Sequence, residues 1–340
     1  MKNSTEALQR IILQETFDDI LGQEPVKKDL KSALLMNRHV IIVGSPGIGK
    51  TTLAKNVAKI LPELTVNDCG FNCSPNHPIC PSCIEKTKRH EKIETITITG
   101  NERFVRIQGS PDLTAEDLLG DIDPSKALQY GPLSIEAFSP GKIFRANNGI
   151  LFFDEVNRCS EKLQNALLQV LEEKQVTIGS YHIDFPASFI FIGTMNPEDS
   201  STETLSDVFL DRFDMIYMHH PESLDIEKAI VLLKGKRIAD IEFSDSILEG
   251  MIQFIRGLRQ DPNIERTPSV RSTLGIYERA QSYALLSGRD SVTPEDIHKI
   301  MISVLSHRIK LKPSVKYLET PEQYIEEQYA KHKARKGGST

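Results

Sequence analysis

The chain has 340 residues, of which 39% are hydrophobic and 26% charged, and a formal net charge of −6. It is longer than an ordinary domain of roughly 100–200 residues and apolar enough for an ample core, so a globular protein with a main domain and a smaller companion is expected. The acidic balance gives no basic field for nucleic acid, no run of about 18 apolar residues offers a membrane span, and Met1–Phe17 lack a signal-peptide pattern, so a cytoplasmic protein with neither nucleic acid nor membrane as partner is expected.

Residues 1–37 read as helical, with a helix from Pro25, which suits a first helical position. His39–Val43 is a short β-branched run that ends in a glycine-rich turn and predicts a buried strand, followed by a helix over Lys50–Ile60. Residues 64–94 read as an irregular insertion. Ile150–Phe153 and Phe189–Gly193 are two further buried strands. Between them Ser160 caps a helix whose apolar face is Leu163, Leu167, Val170 and Leu171, and Val176–Ile183 suggests a hairpin around Gly179-Ser180. Strand and helix alternating in this way predict an α/β fold, a parallel sheet sandwiched by helices, over residues 1–222.

The pattern changes after Pro221. Ile247, Leu248, Met251, Ile252, Ile255 and Leu258 line one helix; Thr293 caps another, with Pro294 and Asp296 at its first and third positions and Ile297, Ile300, Met301, Val304 and Leu305 on its buried face. An all-helical domain is expected over 223–312, and a polar C-terminal tail, with the basic stretch Lys331–Lys336, over 313–340.

Gly44-Ser45-Pro46-Gly47-Ile48-Gly49-Lys50-Thr51 fits the phosphate-binding pattern G-x-x-x-x-G-K-[ST], with Thr52 next in line. Glycines let backbone N–H groups wrap phosphate oxygens, and the following helix adds the positive end of its dipole. Lys50 would reach the β- and γ-phosphates and Thr51 would place a hydroxyl on Mg2+. A strand before the motif and a helix after it argue against a chance turn. Asp154 and Glu155 end the apolar run Ile150–Phe153; Asp154 would hold Mg2+ through its water shell, and Glu155 would polarise the attacking water of ATP hydrolysis. Asn196, after the third strand, is placed to orient that water.

Four of the five cysteines, Cys69, Cys73, Cys80 and Cys83, have the spacing C-x3-C-x6-C-x2-C. Four thiolates suit tetrahedral zinc, the last pair is typical of half a structural site, and His77 is a spare ligand. Unbound thiols are the competing reading, with disulfides last. Cys159 stands alone and reads as packing.

Together these motifs resemble the AAA+ ATPases, and more narrowly the magnesium chelatase ATPase subunit and the MoxR-type ATPases. The likeness covers residues 17 to about 310. Phe138–Leu151, Gly193–Glu198, Leu210–Phe213 and the Cys69–Cys83 segment are similar to the chelatase subunit; Asp154–Arg158 and Leu171–Ile178 read closer to MoxR; Ser200–Asp207 does not match the chelatase pattern. The resemblance implies a homo-hexameric ring, with Arg212 as an arginine finger reaching the γ-phosphate of a neighbouring subunit and Arg271 as a second sensor on a helical lid. Without it, Arg212 reads as a salt bridge to Asp211 or Asp214 and Arg271 as a helix-surface charge. The resemblance also implies a helix-2 insertion within 104–148 and a pre-sensor hairpin within 174–188. The partner would be a larger chelatase subunit that inserts metal into a tetrapyrrole or, on the MoxR side, a von Willebrand-domain protein. A scaffold that only binds ATP and a helicase-like protein are the readings from other classes.

Overall fold

The computed structural model describes residues 9–131, 134–173, 175–178, 181–184, 188–197 and 205–337. Two units emerge. The first runs to Ile20 and resumes over Glu24–Gly44 and Gly49–Met218; the second takes Leu21–Gln23, Ser45–Ile48 and the chain from His219 onward.

In the first unit, helix α1 (Glu24–Leu35) leads into strand β1 (Val40–Val43), and α2 (Lys50–Lys59) follows the glycine-rich turn. Strands β2 (Leu64–Asn67) and β3 (Thr95–Ile98) pair antiparallel around a loop that carries α3 (Pro81–Lys88). Next come β4 (Phe104–Gln108), an antiparallel pair of β5 (Gly120–Ile122) and β6 (Phe138–Pro140), β7 (Gly149–Asp154) and α4 (Glu161–Glu173). The hairpin of β8 (Gln175–Ile178) and β9 (Tyr181–Asp184), then β10 (Phe189–Met195) and β11 (Asp214–Tyr217), complete the unit.

The main sheet is β11-β1-β10-β7-β4, parallel throughout. Its central strands are covered on both faces, which requires the unbroken apolar runs VIIV and ILFF. In a parallel sheet all carboxyl ends point to one edge, where open α/β folds bind ligands. Gly44, Gln108, Asp154 and Asn196 therefore emerge on the same side.

Three departures from expectation concern this unit. The sheet has five strands, because β4 and β11 flank the three expected ones. Phe104–Gln108 is thus a sheet strand and not part of the helix-2 insertion. Residues 64–94 are not irregular throughout, since they hold β2 and α3. The hairpin over 176–183 forms, with Gly179-Ser180 outside the described residues, as are 200–204 of the polar stretch.

The second unit contains α5 (Leu224–Lys234), α6 (Asp245–Gln260), α7 (Val270–Leu286), α8 (Pro294–Leu305) and α9 (Pro321–Gly337), with a small antiparallel pair β12 (Ile264–Arg266) and β13 (Lys310–Leu311). Helix α6 buries Leu248, Met251, Ile252, Phe254, Ile255 and Leu258, one apolar stripe at helical spacing. The α8 cap forms as a reciprocal box: Thr293 N and Oγ1 donate to Asp296 Oδ2 at 2.8 and 2.9 Å. Fully buried Glu227 of α5 receives both arms of Arg259 at 2.7 Å and the hydroxyl of Thr273 at 2.7 Å. Burial alone would raise the Glu227 carboxyl, but these bonds outweigh it and hold it below its ordinary value. The stretch from 313, expected as a tail, is corrected over 321–337: α9 buries Tyr324 and Ile325 in the helical core. No helix among the described residues is long and apolar enough to cross a membrane.

Candidate active site

The glycine-rich turn starts where β1 stops. Gly44 N donates to Met195 O at 3.1 Å, tying the turn to the end of β10. Gly49 enters α2 with φ +105°, open to glycine and strained for other residues. The Lys50 ammonium folds back over the turn and donates to Gly44 O at 2.5 Å. Thr51 and Thr52 follow in the first turn of α2, half-buried. Within the second unit, Gly47 adopts φ +80°, and a Cβ there would come within 2.7 Å of Arg271 Cγ. The exposed Arg271, near the start of α7, thus lies along this glycine.

At the end of β7 the acidic pair is held by side chains that motif reading did not single out. Asp154 Oδ1 accepts from Thr194 Oγ1 at 2.6 Å, and Oδ2 pairs with the Arg106 guanidinium at 2.7 Å. Thr194 is fully buried and its oxygen also accepts from Glu155 N at 2.9 Å, so one hydroxyl orients both acidic residues. Gln108 Nε2 donates to Glu155 Oε2 at 2.8 Å, and Arg158 faces the same oxygen at 3.3 Å. Glu155 takes the left-handed conformation, φ 57° and ψ 54°, which turns the chain sharply and carries its carboxylate toward Gln108. Gly109 N donates to Asp154 O at 2.7 Å, and a Cβ on Gly109 would stand 2.1 Å from Glu155 O, so only glycine permits this approach. Asn157 Nδ2 donates to Asn196 O at 3.3 Å, linking the turns after β7 and β10.

Arg212 pairs with Asp211 at 2.8 Å and with Glu172 of α4. Of the two local partners expected, Asp211 is found. Asp214 instead binds Arg38 at 2.8 Å, and that hydrogen-bonded guanidinium holds its carboxyl below the ordinary range. Glu172 had no sequence signal beyond its charge. Thr194 did have one, as the polar residue inside an apolar strand, and Gln108-Gly109 ends a strand just as Asp154 does.

The cysteine segment gathers as the spacing suggested. The Sγ atoms of Cys69, Cys73, Cys80 and Cys83 all lie within 4.8 Å of one another. Cys73, Cys80 and Cys83 are buried and Cys69 is half-buried, whereas His77 is exposed and stands outside the group. Hydrogen bonds from Cys73 and Cys80 pull the Cys69 thiol down; donating to Cys69 pushes Cys73 and Cys80 up, and burial pushes Cys83 up. Cys159 is fully buried in the core and raised by burial to about 12, as a packing residue should be.

Three family models match the chain: "Magnesium chelatase, subunit ChlI" over residues 16–92, "ATPase family associated with various cellular activities (AAA)" over 82–215, and "AAA lid domain" over 257–328. The magnesium-chelatase subunit ChlI homolog of Methanocaldococcus jannaschii is 30% identical, the match covering 87% of this chain and 86% of that protein. The uncharacterized protein YeaC of Bacillus subtilis is 28% identical, with 84% and 82% covered. Among solved structures, a point mutant of Thermotoga maritima RuvB superposes with a TM-score of 0.50 at 20% identity, covering 85% of this chain and 72% of that one, a likeness of fold. Identity at this level across most of a ChlI homolog, with AAA and lid models matched in chain order, means that the chain belongs to the AAA+ ATPases, in the family of the magnesium-chelatase ChlI subunits.

Proposed function

We propose that the chain binds and hydrolyses ATP with Mg2+, and that the cycle drives remodelling of a partner protein in the manner of a magnesium-chelatase motor subunit. The observation that supports this most is the order at the end of β7, where Thr194, Arg106 and Gln108 fix Asp154 and Glu155 in distinct orientations. The donor set fits the ion: a Thr51 hydroxyl and an Asp154 carboxylate are hard oxygen ligands, which Mg2+ prefers, together with water. Bound with the nucleotide, Mg2+ neutralises charge on the β- and γ-phosphate oxygens.

The protein's own groups do the rest. The backbone of Gly44–Gly49 cradles phosphate oxygens. Lys50 exchanges its bond to Gly44 O for the β- and γ-phosphates. Glu155 polarises the attacking water and the Asn196 amide orients it. Arg271 senses the nucleotide from the helical lid, and Arg212 serves a neighbouring subunit of a homo-hexameric ring. The partner in this reading is a larger chelatase subunit that inserts metal into a tetrapyrrole. Similarity of Asp154–Arg158 and Leu171–Ile178 to the MoxR branch favours a second reading, a chaperone ATPase for a von Willebrand-domain protein.

Two variants test the hydrolytic roles. Lys50→Ala removes a charge-assisted contact of about 1.5–3 kcal/mol and should weaken ATP binding by roughly 10- to 100-fold. Glu155→Gln keeps shape but loses the charge, so ATP should bind as tightly as before while turnover falls by about 100-fold or more. ATP binding by calorimetry and phosphate release separate the two. Parent-rate hydrolysis by Glu155→Gln would remove that carboxylate from the mechanism. A pull-down under ATP that returns a von Willebrand-domain protein, and no tetrapyrrole-synthesis protein, would select the second reading.

A further inference from the structure

We propose that Cys69, Cys73, Cys80 and Cys83 form a closed four-thiolate site for one zinc ion, and that this site pins the loop whose Asn72 clasps the turn at the head of β7. Size is the first argument. Zinc–sulfur bonds of about 2.3 Å in a tetrahedron place the sulfurs about 3.8 Å apart. The four Sγ atoms, all within 4.8 Å of one another, already surround a volume for one ion. A multi-iron cluster would have to fit its iron and sulfide atoms into the same space.

The surroundings of the sulfurs give the second argument. Ile79 N and Cys80 N both donate to Cys73 Sγ at 3.4 Å, Cys83 N donates to Cys80 Sγ at 3.4 Å, and Asn67 Nδ2 donates to Cys83 Sγ at 3.5 Å. Four N–H groups aimed at three sulfurs are the outer shell that metal-bound thiolates require. Four soft thiolates select zinc among common divalent ions, and a full ligand set that is largely buried leaves no open position for catalysis. The role is therefore structural.

Placement gives the third argument. Asn72 sits between Cys69 and Cys73 in a left-handed conformation, φ 51°. Its side chain donates to Arg145 O at 2.8 Å, and its carbonyl accepts from Asn147 Nδ2 at 2.9 Å and Asn148 Nδ2 at 3.1 Å. Asn147 and Asn148 also bind the backbone of Ser188, immediately before β10. β7, which ends at Asp154, thus starts from a turn held by Asn72, and the start of β10, which Asn196 follows, is tied to the same turn. Between β2 and β3 the chain has one helix of eight residues, α3, with Cys83 as its buried residue. A segment with so little apolar core of its own gains order from a metal.

Wild-type protein purified without added metal provides the test. Native mass spectrometry with elemental analysis should find about one zinc per chain, lost on acid denaturation. Exchange for Co2+ should give the intense visible absorption of tetrahedral cobalt thiolate. Cys69→Ser, at the least buried ligand, should lose the bound equivalent and speed amide hydrogen exchange over 69–83 and 145–149. Asn72→Ala should retain the zinc and speed exchange over 145–149. Less than about a tenth of an equivalent of any transition metal in the wild type, whether the four thiols titrate free or are disulfide-bonded, overturns the site. Iron in place of zinc overturns the assigned ion. Unchanged exchange over 145–149 in Asn72→Ala overturns the link to β7.

Discussion

Gln108 holds one oxygen of the Glu155 carboxylate at 2.8 Å, and it touches no residue of the glycine-rich turn in any hydrogen bond among the described residues. That makes it a positioning residue in the proposed mechanism, with an effect on turnover and not on binding. Gln108→Ala should lower kcat by about 10- to 100-fold, the worth of one hydrogen bond to a charged group, with KM for ATP unchanged. Gln108→Glu should do more: it replaces a hydrogen-bond donor to Glu155 with a second negative charge, so kcat should fall further than in Gln108→Ala, again with KM for ATP unchanged. A Gln108→Glu variant no slower than Gln108→Ala would assign Gln108 a purely structural part. At this scale the legible residues are those whose position in the chain announces them. Asp154 and Glu155 end an apolar run, and Lys50 closes a motif. Gln108, Arg106 and Thr194 owe their place to register, since Gln108 aligns with Asp154 across β4 and β7, and spacing along the chain does not encode which strands are neighbours.

Elements are legible in proportion to their burial on both faces. β1, β7 and β10 lie inside the sheet and read as unbroken apolar runs, whereas β4 and β11 are its two edges. An edge strand keeps polar residues, as Arg106 and Gln108 in β4 and Asp214 in β11 do, so its signal is a short alternation that loops also show. Helix α9 is hard to read for a related reason: Tyr324 and Ile325 anchor seventeen mostly polar residues. The α8 cap is legible because Thr293, Pro294 and Asp296 lie close together in the chain. Its Asp296 also receives Arg289 NH1 at 2.7 Å, and that bond holds the Asp296 carboxyl down to about 2, against 3.8 when unperturbed. The folded state therefore binds this proton less readily than the unfolded state. The stabilisation is complete above about pH 4 and fades as pH falls toward about 2. Asp296→Ala should cost the helical unit on the order of 1–2 kcal/mol at neutral pH and flatten its stability over that acid window. Urea unfolding at several pH values, followed by a probe in α8, checks both; a parent curve already flat there would dismiss the cap as a titrating group.

For the whole molecule, assembly is the property on which the proposed chemistry depends. The ion pairs of Arg212 with Asp211 and Glu172 are solvent-accessible, Arg212 being 36% exposed, and such pairs are worth only about 0–1 kcal/mol. They are too weak to keep the guanidinium from a neighbour's phosphate. Arg212→Ala should bind ATP normally and turn over about 100-fold or more slowly. Mixed with Lys50→Ala, which has an intact arginine and a defective pocket, it should regain activity that neither variant has alone. Inactive mixtures with co-assembly seen by light scattering would return Arg212 to the role of a local salt bridge. Stability, another property of the whole chain, meets the site at a single backbone angle. Glu155 occupies the left-handed region, where a residue with a side chain costs roughly 1 kcal/mol relative to glycine. Selection for a sturdier fold therefore pulls this position toward glycine or asparagine, while a carboxylate with the reach that meets Gln108 comes from keeping glutamate. In that sense Glu155 is a point of frustration, at which folding and the proposed chemistry ask for different amino acids.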